Sequence, residues 1–124
     1  MPILTNSKFT TASVSVASTS ADASATLLYT CPANYTSIIR YVFISNATGS
    51  AKQIYIQWYD SSSTTYFTVA NAVSVAANST FELIAGGLLA LNGNDTIRVY
   101  KEAGATFNAT LSTEEFYDPA RGGN

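Results

Sequence analysis

Between Thr36 and Tyr59 the chain reads TSIIRYVFISN, then ATGS, then AKQIYIQWY. Two runs of β-branched and aromatic residues flank a short small-polar loop, the pattern of a β-hairpin. With Asn46 facing Ala51 across the loop, Phe43 would pair with Ile54, Tyr41 with Ile56 and Ile39 with Trp58. Side chains alternate with period 2 along a strand, so these six share one face, the predicted core. The other face carries Ile38, Arg40, Val42 and Ile44 on the first strand. On the second it carries Gln53, Tyr55, Gln57 and Tyr59. It is too apolar for a water-facing sheet, and Ile38, Arg40, Val42, Ile44, Tyr55, Gln57 and Tyr59 are expected at a subunit interface.

The remaining pattern is also one of strands. ASVSVAS (Ala12–Ser18) suits a lightly buried edge strand, and ATLLYTC (Ala25–Cys31) a strand stopped by Pro32. TTYFTVAN followed by AVSVA reads as one bent strand or two short ones. TFELIA is broken by Gly86-Gly87 before Leu88 to Leu91, and TIRVYK and FNATLSTEE complete the series. Turn residues separate the runs, notably Asn34, Asn78 and Asn92-Gly93-Asn94-Asp95. No stretch holds a 3.6-residue apolar period. About eight short strands at regular spacing predict an all-β antiparallel sandwich or jelly roll. The sandwich is expected over 12–115, with an N-terminal arm at 1–11 and an extended C-terminal tail at 116–124. Ala33-Asn34-Tyr35-Thr36 and Ala77-Asn78-Ser79-Thr80 echo one another, as the turns of two Greek-key halves would.

At 124 residues the chain is one domain, long enough to bury a core without metals or disulfides. Charged residues are 11% against 47% hydrophobic, so solubility rests on hydroxyls and amides, as on proteins that pack beside copies of themselves. Net charge is −2 and the six Lys and Arg are scattered singly, which leaves no footprint for nucleic acid. No run reaches the ~18–20 apolar residues of a membrane helix. No signal peptide precedes the first strand, so synthesis in a cytoplasm is expected.

Candidate chemistry is sparse. There is no histidine, and nothing sets Lys8, Lys52 or Lys101 beside a nucleophile. Glu114 and Glu115 are adjacent and would point to opposite faces of a strand, unlike paired glycosidase carboxylates. Asn92-Gly93-Asn94-Asp95 offers calcium one carboxylate only and reads better as a turn. Cys31, the single cysteine, suits a small buried thiol. Tyr55, Tyr59, Tyr66 and Trp58 could stack on sugar rings, although the hairpin pairing puts Trp58 in the core. The chain is therefore expected not to be an enzyme, and to need no metal or cofactor.

Three stretches carry a family resemblance. They are Leu28-Tyr29-Thr30-Cys31-Pro32-Ala33-Asn34-Tyr35-Thr36 with the strand that follows, Phe81-Glu82-Leu83, and Leu91-Asn92-Gly93-Asn94-Asp95-Thr96-Ile97-Arg98-Val99. Over roughly Leu27 to Leu111 the chain resembles small β-sandwich virion proteins of tailed bacteriophages, most of all capsid decoration (cement) proteins. The resemblance implies a jelly-roll homotrimer bound to the major capsid protein on the capsid surface of a virion, with no catalytic residue to carry over. Related domains also occur in tails, baseplates and fibres. On that reading Phe116, Tyr117 and Arg121 would anchor the tail to the capsid or a neighbour.

Overall fold

A computed structural model of the chain describes residues 7–118, and for 83–88 the backbone alone. Eight strands make up the described part: β1 (Lys8–Val16), β2 (Thr26–Thr30), β3 (Tyr35–Asn46), β4 (Lys52–Asp60), β5 (Thr65–Val75), β6 (Ser79–Leu91), β7 (Thr96–Lys101) and β8 (Phe107–Tyr117). They form two four-stranded sheets, β1-β8-β3-β6 and β2-β7-β4-β5, and every pairing is antiparallel. This is the expected all-β sandwich, in the strand order of a jelly roll. Lys8–Thr11 belong to β1 rather than to an arm, and Phe116 and Tyr117 belong to β8 rather than to a tail.

Only β4 and β5 are joined within one sheet; every other connection crosses between sheets. The expected β3–β4 hairpin is thus absent, because the ATGS loop climbs from one sheet to the other. Asn46 explains the climb. Its amide nitrogen donates to Val75 O (2.9 Å), Ser50 O (3.1 Å) and Ala76 O (3.2 Å), and its Oδ1 accepts from Thr48 N (2.8 Å). Thr106 N donates to Thr48 Oγ1, and Ala47 N to Thr106 O. The loop is tied to the β5–β6 and β7–β8 turns, and β4 has no way back alongside β3.

Freed from β4, β3 takes its phase from β8 and β6. The register slips at Arg40: Ile39 lies opposite Thr113, yet Tyr41 lies opposite Ser112. This bulge puts Ile39, Val42 and Ile44 inside and turns Tyr41 and Phe43 out, since one extra residue reverses the alternation beyond it. On β6 the same irregularity spans Gly86-Gly87, where the sequence led us to expect a break and the strand continues. β5 is a single bent strand with Ala72 at φ 53°.

The core is filled by Ile39, Val42, Ile44, Ile54, Ile56, Leu91, Ile97, Val99, Phe107 and Leu111. β8 shows the cleanest alternation, with Phe107, Ala109, Leu111, Thr113 and Glu115 inward and the residues between them outward. Asn34, Asn78 and Asn94 take positive φ at three of the crossings, as their side chains tolerate. Asn34 and Asn78 stand immediately before β3 and β6, which are antiparallel neighbours, so the two echoing tetrapeptides lie at opposite ends of the sheet.

Candidate assembly surfaces

The polar groups that could do chemistry are occupied with holding the sandwich together. Asp95 is buried and takes four donors: Ser61 N (3.0 Å) and Ser61 Oγ (2.9 Å) on Oδ1, Asn92 N (3.0 Å) and Trp58 Nε1 (3.3 Å) on Oδ2. Donors, not a cation, saturate it. The 92–95 turn is therefore a clamp between the β4–β5 hairpin and the β6–β7 crossing.

Near the C-terminal end of β8, Glu115 is 3% exposed while Glu114 faces out, as adjacent strand residues must. Tyr29 donates to Glu115 Oε2 at 2.5 Å, and the Ser37 hydroxyl lies 2.6 Å from the Tyr29 oxygen and 3.2 Å from Cys31 Sγ. This chain of polar groups joins β2 in one sheet to β3 and β8 in the other. Burial pushes the Tyr29 phenol well above its usual range, helped by the hydrogen bond to Glu115. Burial likewise raises the Cys31 thiol, which sits at 0% exposure as an inert group. Lys8 Nζ is 3.7 Å from Glu115 Oε1 and largely in water, a weak pair. Among the described residues no cluster of His, Cys, Asp or Glu could hold a metal, no pocket opens, and no helix is long and apolar enough to cross a membrane.

What remains for a partner is surface. On the outer face of the β1-β8-β3-β6 sheet, Tyr41 (40% exposed) and Phe43 (37%) stack with ring centroids 5.7 Å apart and 11° between planes. They stand in a lawn of short polar side chains: Ser13 bonded to Thr110, Ser15 to Asn108 and Ser45 to Thr80, all at 3.1–3.2 Å. Phe9, opposite the outward Glu114, is 73% exposed.

On the outer face of the other sheet, Tyr55 and Tyr100 stack at 4.4 Å and 3°, and Tyr59 leans on Tyr66 at 4.6 Å. Burial, then the neighbouring Tyr55, raises the Tyr100 phenol. Between the two pairs runs the row of Gln57 and Arg98, covered by the 3-10 turn Asp22–Ser24. Asp22 N donates to Gln57 Oε1 (2.7 Å), Gln57 Nε2 to Asp22 Oδ1 (2.9 Å), and Arg98 Nη1 to Ala25 O (3.0 Å).

The third surface is the side where the sheets end in β5 and β6. The register sets Phe67 opposite Trp58 and Phe81 opposite Ile44, which places both on the core side. Yet Phe67 is 44% exposed and Phe81 37%, with Val69 equally open. Among the described residues no further strand closes the sandwich there, so these core-facing rings stay exposed.

Several expectations need correcting. Val42 and Ile44, assigned to a subunit interface, are fully buried in the core, and Gln57 is buried beneath Asp22. Tyr41 and Phe43, assigned to the core, are on the outside; the cause in all four β3 positions is the Arg40 bulge together with the missing hairpin. Ile38, Arg40, Tyr55 and Tyr59 are half-buried. Ile39, Ile54 and Ile56 lie in the core, and Trp58 is half-buried between the Phe67 ring (5.2 Å) and Asp95. Phe116 is half-buried and Tyr117 exposed, its ring edge-on to Tyr35 at 5.5 Å, while Arg121 lies outside the described residues. Phe9, Phe67, Val69 and Phe81 escaped sequence reasoning. For Phe9 a signal existed, since in KFTTASVSV it shares phase with Thr11, Ser13 and Ser15 rather than with Ala12, Val14 and Val16.

No protein-family model and no curated protein matches the chain. Among solved structures it is similar to a subunit of Bacillus endospore appendages, a novel family of disulfide-linked pili, at 16% identity over 90% of this chain and 88% of that one, with TM-score 0.52. A chain of the cyanophage Pam1 capsid asymmetric unit aligns at 22% identity over 90% and 84%, with TM-score 0.48. The globular domain of zebrafish complement 1qA aligns at 12% identity over 83% and 94%, with TM-score 0.43. At such identities the likeness is one of fold.

Proposed function

We propose that this chain is a structural virion protein, a capsid decoration protein that binds across capsid-subunit junctions and stabilises the shell. One observation carries the reading: large apolar side chains stand exposed on the Tyr41–Phe43 face, at Phe9 and along the β5–β6 side. Isolated surface rings are normal on a monomer, but three such groups on a domain with 11% charged residues suit a protein buried in an assembly. The resemblance of its turn motifs to phage virion proteins points the same way and supplies the capsid as partner. Stabilisation follows from mass action, because a ligand of the assembled shell alone shifts the equilibrium toward it.

A pilus-like role through disulfide links is disfavoured, since the single cysteine is buried. A sugar-binding role is disfavoured by the tyrosine stacks, which turn ring faces toward one another, and by Trp58, which lies against Phe67. A tail or baseplate subunit would use the same surfaces, and labelled electron microscopy of particles separates the two locations. The test is to add the purified chain to shells of the encoding phage that lack it. Saturable retention and a raised shell melting temperature are expected; no retention at tens of micromolar sinks the proposal.

A further inference from the structure

We infer that the β5–β6 side of the sandwich is where a second copy of this chain docks, edge to edge. The inference rests on the reading of the chain as an assembly subunit and names the surface through which copies meet.

The two lateral sides of the sandwich are unequal. On one side the sheets end in β1 and β2. β2 is only five residues long, β1 carries Lys8 at its start, and the Asp22–Ser24 crossing turn lies nearby over Gln57 and Arg98. A short β2 and a lysine on β1 are devices that limit edge association, although Phe9 on β1 and Leu27 on β2 stand exposed there, and the Asp22–Ser24 turn covers the outer face rather than the edge. On the other side the sheets end in β5, eleven residues, and β6, thirteen residues. Their sequences, TYFTVANAVSV and STFELIAGGLLAL, hold no Lys, Arg or Pro and a single charge, Glu82. Long, nearly uncharged edges without those devices invite another strand.

The side chains agree. Phe67, Val69 and Phe81 together expose on the order of 200 Å² of apolar surface along this side, and two of them face the core by register. An edge about 37 Å long and a sandwich about 10 Å deep, with one strand's width of each outer face, present roughly 700 Å². That is close to the ~800 Å² per partner of a standard stable interface. A second copy is the occupant chosen because its own β5–β6 side is equally uncharged and supplies the complementary open strand edge; a basic or acidic partner would find nothing to pair with beyond Glu82.

The experiment is sedimentation velocity of the full chain from 1 to 100 µM, with three variants whose folding is checked by circular dichroism. Phe67→Ser and Val69→Lys alter this side, the second adding the charge that protected edges carry, and Leu27→Ser alters the exposed side chain on β2 at the opposite edge. Wild type is expected to be oligomeric, both β5 variants to weaken association at least tenfold, and Leu27→Ser to leave it unchanged. Association lost in folded Leu27→Ser, or kept in both folded β5 variants, overturns the inference. A wild type that stays monomeric throughout also overturns it, while the shell-binding assay still decides the proposed function independently.

Discussion

Replacing Asp95 asks whether the buried carboxylate is the clamp that its geometry implies. Oδ1 faces two Ser61 donors, one a backbone N–H and one a hydroxyl; Oδ2 faces two donors that cannot reverse, Asn92 N and Trp58 Nε1. In Asp95→Asn the amide oxygen will therefore take the Oδ2 position. The amide nitrogen then faces Ser61, whose hydroxyl can rotate to accept, so Ser61 N is the one donor left unpaired. An orphaned buried donor costs about 1–3 kcal/mol. Asp95→Ala removes the acceptor for all four and leaves a cavity. Because the four act as one network their losses do not add, and about 3–5 kcal/mol is expected. Urea unfolding followed by circular dichroism and by Trp58 fluorescence measures both, and Trp58 is the only tryptophan. Asp95→Asn as harmful as Asp95→Ala, or Asp95→Ala costing under about 1 kcal/mol, would refute the reasoning.

Three further outcomes are expected. Ile44→Ala should cost about 2–5 kcal/mol while Phe43→Ala costs under about 1.5; the reverse order in urea melts would mean that β3 keeps the phase of a hairpin. The raised Tyr29 and Cys31 groups both favour the neutral form in the fold, so stability is fully present below their unfolded values and falls as pH rises beyond about 9. Thermal melts from pH 7 to 11 should show that fall, and it should flatten in Tyr29→Phe and Cys31→Ala; an unchanged slope in both removes the assignment. Asn46→Ala strips the β3–β4 crossing of an amide that makes four hydrogen bonds and should cost about 2–4 kcal/mol by urea melt, against no measurable effect for the nearby exposed Ser50→Ala.

The fold was legible because its local signals are strong and mutually consistent: β-branched runs of strand length, and turns that place Asn34, Asn78 and Asn94 where positive φ is needed. Pairing was not legible. In a jelly roll consecutive strands mostly lie in different sheets, and the bonds that send β4 away from β3 come from Asn46 to residues about thirty positions on. The bulge at Arg40 carries no local signature either, and one slipped residue was enough to exchange core and surface along half of β3. In the sequence Glu115 shows only as a strand residue facing away from Glu114. Its burial depends on Tyr29 and Ser37 arriving from two other strands, which no inspection of FNATLSTEE could foresee. The exposed surfaces inherit the same difficulty, because Phe67 and Phe81 are wet only by virtue of lying on the last strand of each sheet.

Whether the chain belongs to a shell, as proposed, is measured most directly by electron microscopy of the particles that this reading assigns it to, purified with and without this protein. Ordered density for a β-sandwich at capsid-subunit junctions, present in the first sample and missing from the second, is the expected result. Intact particles of unchanged stability in both samples, with no such density on capsid or tail, would contradict it.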